Sequence, residues 1–449
     1  MGWGRSFEMT VSRRRFLAAA GVTAGAATLG FLGLKKFWDG HARPVGYGEL
    51  VADPARVLDL PRGFRYHVFS RTGDPMDDGL LVPGGHDGMA TFSGTGGRVI
   101  LVRNHELSAD SLERSAFGPG DRGRTRLDRR LIYDPVGGLG GTTTLIYDTR
   151  RQQLDRHFLS LTGTVRNCAG GSTPWNSWIT CEESTRTAGE EYTRDHGYNF
   201  EVPAAAPGLV DAAPLKAMGR FNHEAVAVDP VSGAVFQTED RGDGLFYRFL
   251  PRERGNLRAG RLQALRIDGM DGVDTSNRPE PKVPVGKPLR VSWVDLEEVE
   301  SPGDDLRKQG ASKGAASFSR GEGVWSEPGA VYFACTRGGS ADCGQIFRYT
   351  PESDTLELFA ESPGAASVEN PDNITIAPWG DLLLFEDRSQ ECRAVGITPD
   401  GRYYTLARNA MNDSELAGGV FSPDGSTLFV NIQNPGLTIA ITGPWHRGD

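Results

Sequence analysis

Ala225-Val-Ala-Val-Asp-Pro-Val-Ser-Gly-Ala-Val-Phe-Gln-Thr-Glu-Asp240 reads as a strand, a turn and a second strand that ends on an acidic pair. Apolar and β-branched residues fill both halves, and Asp-Pro with Ser-Gly supplies the turn chemistry between them. Leu245-Phe-Tyr-Arg-Phe-Leu-Pro251 adds a third strand. The theme returns at Gly323-Val-Trp-Ser-Glu-Pro-Gly-Ala-Val-Tyr-Phe-Ala-Cys335, followed by Gln345-Ile-Phe-Arg-Tyr-Thr-Pro351. It returns again at Asn373-Ile-Thr-Ile-Ala-Pro-Trp-Gly-Asp-Leu-Leu-Leu-Phe-Glu-Asp387 and at Gly419-Val-Phe-Ser-Pro-Asp-Gly-Ser-Thr-Leu-Phe-Val-Asn-Ile-Gln433. Upstream, Gly140 to Asp148 and Leu154 to Leu161 read as strands. Short strands punctuated by turns indicate an all-β fold, and their approximate recurrence indicates a propeller. The expectation is an all-β, six-bladed β-propeller with loop and helical insertions. The 59 glycines agree with a turn-rich β protein.

The rest of the chain fits around those repeats. Ser12-Arg-Arg-Arg-Phe-Leu17 and the small, apolar run from Ala18 to Leu34 read as a twin-arginine export signal. An ordinary secretory signal or an N-terminal anchor is the alternative, and Ala42 offers only a weak cleavage site. The expected division is a signal peptide at 1–42 and a single propeller domain at 43–449, with an extended insertion around 252–291. The arginine-rich stretch from Arg114 to Tyr133 is expected as helix or loop. Residues 1–36 hold six basic residues and one acidic, so without them the chain carries a net charge of −14. That charge excludes a general nucleic-acid binder, which needs clustered Lys and Arg for phosphates. The expected location is periplasmic or extracellular, reached through the twin-arginine machinery, a route that carries folded proteins and often their cofactors.

Polar residues gather where the repeats begin and where their second strands end. Asn104-His105-Glu106, Asn167-Cys168, Asn222-His223-Glu224, Arg320-Gly-Glu322-Gly and Pro371-Asp372-Asn373 are read as preceding first strands. Glu182-Glu183, Glu239-Asp240 and Glu386-Asp387 end the strands that follow. In a propeller these points converge on the central channel. Taken singly, each triplet or pair also fits a solvated turn, and Trp175 and Trp178 also fit plain packing. Converging carboxylates repel unless protonated or neutralised by cations. Oxygen ligands in this number suit Ca2+, and a thiolate with carboxylates suits iron or zinc.

The cysteines are Cys168, Cys181, Cys335, Cys343 and Cys392. In an exported protein an even subset can pair. Cys335 and Cys343 flank a turn-like loop and are expected as a hairpin disulfide. Cys181 with Cys392 is a second candidate pair, and Cys168 is left over as ligand or inert thiol.

The motifs Asn167-Cys-Ala-Gly-Gly-Ser-Thr-Pro-Trp175, Thr180-Cys-Glu-Glu183, Phe221-Asn-His-Glu224, Glu239-Asp240, Arg320-Gly-Glu-Gly323 and Pro371-Asp-Asn373 together resemble the PhoX-type alkaline phosphatases, over roughly residues 90–435. The resemblance implies a six-bladed propeller, exported by the twin-arginine route, with Fe(III) and Ca2+ at its centre. It implies Cys168 and Glu224 as iron ligands, and Glu322 and Asp372 as residues of the metal cluster. The resemblance makes Asn104, Glu106, Glu183, Asn373 and Glu386 further metal-site candidates, and it implies Arg320 as the phosphate-gripping catalytic arginine. The chain departs from the family pattern at a lysine expected shortly before the cysteine motif. No lysine lies between Lys36 and Lys216; Ser160 stands at about the corresponding place, and Arg156 and Arg166 are the nearby cations. The expected function is an exported, metal-dependent phosphoesterase, an alkaline phosphomonoesterase acting on a small phosphate ester. A calcium-dependent lactonase and a non-catalytic ligand-binding propeller are the alternatives.

Overall fold

The computed structural model describes residues 45–446. The signal read at 1–42 lies outside the described residues. Among the described residues no helix is long and apolar enough to cross a membrane, and the α-helix Leu306–Ser312 is a short element on a β scaffold.

Strands form five hydrogen-bonded sheets. Six strands stand at sheet edges and face the middle: His86–Ser93, Asn167–Ser172, His223–Val228, Gly321–Glu327, Pro371–Ile376 and Leu416–Phe421. Each packs on the next, and the last packs on the first, so they ring a central channel. The arrangement is all-β and propeller-like. Six separate four-stranded blades were expected, whereas hydrogen bonding gives five sheets. Leu289–Leu296 pairs with Asn256–Ile267 along its length and touches Thr355–Glu361 through Leu289 and Arg290, which fuses two sets of strands into one ten-stranded sheet. The stretch 252–291, expected as an extended insertion, therefore contains the strand Asn256–Ile267, a loop after it and the start of the strand Leu289–Leu296. Residues between Arg114 and Tyr133 form short 3-10 turns, as a helix-or-loop reading expects.

The ring closes through the two ends of the described chain. Arg65–Arg71 pairs antiparallel with Leu437–Thr442. The buried Arg103 ties this seam to its neighbour, donating from Nη1 to Ser70 Oγ at 3.0 Å and Thr438 Oγ1 at 2.5 Å, and from Nη2 to Thr143 Oγ1 at 3.0 Å. Apolar side chains fill the space between neighbouring sets of strands: Phe246, Phe318, Phe333 and Phe347 between the two halves of the fused sheet, and Leu383, Phe385, Leu428 and Val430 between two separate sheets.

Inner strands approach each other closely because small residues line them. A Cβ placed on Gly171 would stand 1.9 Å from the Val226 carbonyl oxygen of the neighbouring inner strand. Backbone cannot swing aside as a side-chain tip can. Gly171→Ala is expected to destabilise the fold by about 1–3 kcal/mol through overpacking, read as a lower urea midpoint with an unchanged m-value. An unchanged midpoint would refute the close approach.

Candidate metal centre

Every inner strand bears a β-bulge near its start. The register breaks between His86 and Met89, Asn167 and Gly170, His223 and Val226, Gly321 and Val324, Pro371 and Asn373, and Ala417 and Val420. A bulge re-aims one side chain out of the pleat. The residues at these breaks include Asp87, Cys168, Glu224, Glu322, Asp372 and, in the last strand, Gly418. Five of the six positions thus offer a ligand atom to the channel mouth.

A second set of positions follows the partner strand of each inner strand: Glu106, Glu183, Asp240, Thr336, Asp387 and Gln433. Their backbone N–H groups donate to the carbonyls of Gly85, Arg166, Asn222, Arg320, Asn370 and Glu415 at 2.8–3.3 Å. The same bond recurs six times, so these carbonyl-bearing residues occupy one equivalent position in each repeat. The acidic pairs read from sequence resolve accordingly. Their second members, Glu183, Asp240 and Asp387, sit at the mouth, while the first members turn into the fold, because side chains alternate faces along a strand.

Among the described residues the resulting site joins eight carboxylates and one thiol in four overlapping groups, each with its ligand atoms within 4.8 Å of one another. Cys168, Glu183 and Glu224 form the first, and Glu224, Glu322 and Asp372 the second. Asp372, Asp387 and Glu415 form the third, and Asp87, Glu106 and Glu415 the fourth. Glu224, Asp372 and Glu415 each belong to two groups, so the site is continuous.

The electrostatics are those of a cation site. Burial, reinforced by Glu322 and Asp372, holds the Glu224 carboxyl well above the usual range. Burial and the neighbouring acids raise Asp87, Glu322 and Glu415 in the same way. Burial and Asp387 push Asp372 to about 7, and burial pushes Glu183 to about 8 against the pull of Arg166. The Cys168 thiol is pushed up by burial, then by Glu224 and Glu183, and its Sγ donates to Glu224 Oε2 at 3.0 Å. Protons here take the place that cations would fill. The donor set fits metals: carboxylate oxygens suit Ca2+, and the thiol between two carboxylates suits a softer transition metal.

Two guanidinium groups enter this acidic mouth. Arg320 reaches Asp240 at 2.8 Å and Glu322 at 3.2 Å. Arg166 reaches Glu106 at 2.8 Å and also pairs with Glu183.

Of the residues expected from sequence, Cys168, Glu224, Glu322, Asp372, Glu106, Glu183 and Arg320 converge. Glu106, read as preceding a first strand, instead follows a second strand, in the position equivalent to Glu183. Three candidates are spent elsewhere. Glu386 is fully buried and bound by Arg393 at 2.6 Å, being the inward-turned member of its pair. Asn104 donates to the carbonyls of Cys168 at 3.1 Å and Ala169 at 2.7 Å, and accepts from Trp178 Nε1 at 2.8 Å, so it anchors the cysteine strand. Asn373 donates to Asp372 Oδ1 at 3.0 Å and accepts from the Gly418 N–H. Asp87 and Glu415 were not among the residues read from sequence, while Asp240 and Asp387 were read only as members of acidic pairs and Arg166 only as a nearby cation. The sequence signal for Asp87 was available, since His86-Asp-Gly-Met89 repeats the pattern of Gly321-Glu-Gly-Val324.

The expected disulfides do not form, and all five cysteines are free. Cys335 packs in a hydrophobic core while the Cys343 Sγ donates to the Ala341 carbonyl at 3.3 Å. Cys181 is likewise in a core, and Cys392 donates to the Arg388 carbonyl at 3.1 Å. Trp175 and Trp178 serve packing, with Trp175 Nε1 held by Glu201 at 2.6 Å. Beneath the thiol group, the fully buried Glu182 accepts from His196 Nδ1 at 2.6 Å, and His196 Nε2 stands 3.4 Å from Asp134. Burial disfavours the His196 charge, yet the two carboxylates outweigh it and push the imidazole up to about 9.

Comparison with curated proteins finds no match. Among solved structures, Pseudomonas fluorescens PhoX in complex with vanadate, described there as a transition state analogue, aligns with a TM-score of 0.67 at 18% identity, covering 89% of this chain and 98% of that one. A Xanthomonas campestris gluconolactonase aligns with a TM-score of 0.39 at 13% identity, covering 90% of this chain and 100% of its own. A Dyadobacter fermentans protein of unknown function aligns at 0.43 and 9% identity, covering 85% and 100%. The first of these shows a shared fold. A family model, alkaline phosphatase PhoX, matches residues 45–436. That span runs through every strand that carries a residue of the acidic mouth, and the chain belongs to the alkaline phosphatase PhoX family.

Proposed function

We propose that the protein is an exported phosphomonoesterase that works above neutral pH with bound Fe(III) and Ca2+. The carrying observation is the continuous run of four ligand groups, in a PhoX-family chain, with a guanidinium beside it. Cys168, Glu183 and Glu224 would hold iron, and the carboxylates around Asp87, Asp372 and Glu415 would hold calcium. When bound, the metals supply Lewis-acid polarisation of phosphoryl oxygens. The Arg320 guanidinium lies at the mouth with its side chain 38% exposed, where it can grip phosphoryl oxygens and offset their growing charge. Asp240 and Glu322 hold it in place. Cys168 is buried against Glu224, which suits a ligand and not a nucleophile. The six inner strands and the six repeated carbonyl contacts support reading the fold as a six-bladed propeller, with the fused sheet counted as two blades. The sequence at 12–34 supports twin-arginine export to the periplasm or beyond. A calcium-dependent lactonase needs a single Ca2+ held by Glu and Asn, far fewer ligands than this mouth provides.

The test is elemental analysis of protein exported from its host, together with hydrolysis of p-nitrophenyl phosphate at alkaline pH. Iron, calcium and turnover are expected together. Calcium alone with no turnover would overturn the reading.

A further inference from the structure

Arg166 and Arg320 are structural equivalents. Both lie two residues before the bulge residue of an inner strand, both take a left-handed backbone (φ 48 and φ 57), and both offer their carbonyl to the residue that ends the partner strand. Both side chains are half-exposed, at 43% and 38%. Each Nη2 is clamped by two carboxylates, while the Nε partner is a backbone carbonyl for Arg166 and a carboxylate for Arg320. Arg166 donates from Nε to the Glu183 carbonyl at 3.1 Å and from Nη2 to Glu106 and Glu183. Arg320 donates from Nε to Asp240 and from Nη2 to Asp240 and Glu322. In neither case does a described residue accept from Nη1.

The equivalent position between them is Asn222, whose Nδ2 donates to Glu183 Oε1 at 3.1 Å. Arg166, Asn222 and Arg320 therefore occupy three consecutive repeats, an arc of donors over one side of the acidic mouth. The remaining equivalents are Gly85, Asn370 and Glu415, so none of those three positions carries a cationic side chain. Glu224, shared by two ligand groups, lies in the middle repeat of the arc. An anion drawn to this arc meets a fixed cation on each flank.

We propose that Arg166 is a second substrate-binding residue, gripping the phosphoryl group from the flank opposite Arg320. The assignment rests on the phosphoesterase reading above. It gives the site two planar forks with free amines for a tetrahedral anion, a geometry suited to bidentate contact. Other nearby groups do not serve. Ser160 is buried against Thr142 at 2.8 Å, and Arg156 binds the Pro207 carbonyl at 3.1 Å and stacks on Phe158.

The experiment compares wild-type, Arg166→Gln and Arg166→Lys holoenzyme for metal content, for p-nitrophenyl phosphate kinetics and for inhibition by inorganic phosphate. The expected result for Arg166→Gln is unchanged metal content, phosphate inhibition weakened about 10-fold or more, and kcat/KM lowered about 10–100-fold, in line with loss of a charge-assisted contact. Arg166→Lys should recover part of the phosphate inhibition, since charge returns without the fork. Wild-type inhibition in Arg166→Gln, or loss of metal that accounts for the whole defect, would overturn the proposal and leave the phosphoesterase reading standing. An inactive, metal-replete wild type would overturn both, so the two failures are told apart.

Discussion

Glu224→Gln is expected to reduce kcat/KM more than ~100-fold, beyond the usual cost of disturbing an outer partner of a bound metal, and to lower the content of both metals. Glu224 is shared by the thiol group and the Glu322–Asp372 group, so its loss damages two positions at once. The substitution keeps the shape and removes a charge. Its effect on the metal-free protein should therefore have the opposite sign. Buried beside Glu322 and Asp372, Glu224 must either take up a proton or hold a charge in water-excluded surroundings, and an amide avoids both costs. The metal-depleted variant should melt higher than metal-depleted wild type, although the metal-loaded variant is inactive. Elemental analysis, kinetics and thermal melts in the presence of chelator measure all three. Wild-type metal content, or a lower melting temperature for the stripped variant, would show that Glu224 is a structural acid.

The second large effect concerns stability. His196→Leu is expected to cost about 3–5 kcal/mol near neutral pH, because two buried carboxylates, Glu182 and Asp134, lose the cation between them. Both ends of that network are fully buried. Burial opposes the Asp134 charge too, but His196 and local N–H donors hold its carboxyl well below the ordinary range. The pH dependence follows from the raised histidine. Its folded value of about 9 exceeds the ordinary histidine value of about 6.5, so the folded state binds the proton more tightly than the unfolded state does. The stabilisation is fully present below about 6.5 and fades as pH rises through about 9. Urea midpoints of wild type and variant should be far apart at pH 6 and converge by pH 10. A gap that stays constant with pH would mean that His196 contributes packing and not charge. Because Glu182 immediately precedes Glu183, the same network sets the floor of the thiol group.

The strand-and-turn plan was legible in the sequence because turns here are written in Pro, Gly and Asp and strands in β-branched and aromatic residues. Gly140–Asp148 appears with the limits read from its residues. The fused ten-stranded sheet was not legible, because the short pairing of Leu289 and Arg290 with Leu356 and Thr355 leaves no periodic trace. The ligand cluster was half legible. Cys168, Glu224, Glu322 and Asp372 stand at bulges preceded by polar residues, so their type gives them away. Glu386 was preferred to Asp387 because nothing in a two-residue acidic run tells which member faces the channel; strand parity decides it, and parity needs the register. Glu415 was hidden for another reason. It occupies the repeat position of Arg166 and Arg320, where chemistry varies from Gly85 to Asn370, and Gly418 leaves the usual ligand position of its own strand without a side chain.

The seam between Arg65–Arg71 and Leu437–Thr442 has a consequence for biosynthesis. Asp87 is held by a segment more than 300 residues later: Asn431 Nδ2 donates to its carbonyl at 2.6 Å, and Gln433 Nε2 to its carboxylate at 3.2 Å, with sequence separations of 344 and 346. Glu415 also arrives late. A nascent polypeptide that has emerged only as far as Asp387 carries the thiol and most of the acids but not the residues that orient Asp87 or complete the last two ligand groups. Two of the four ligand groups therefore stay incomplete until the segment from Glu415 to Gln433 has been synthesised and has packed against Asp87.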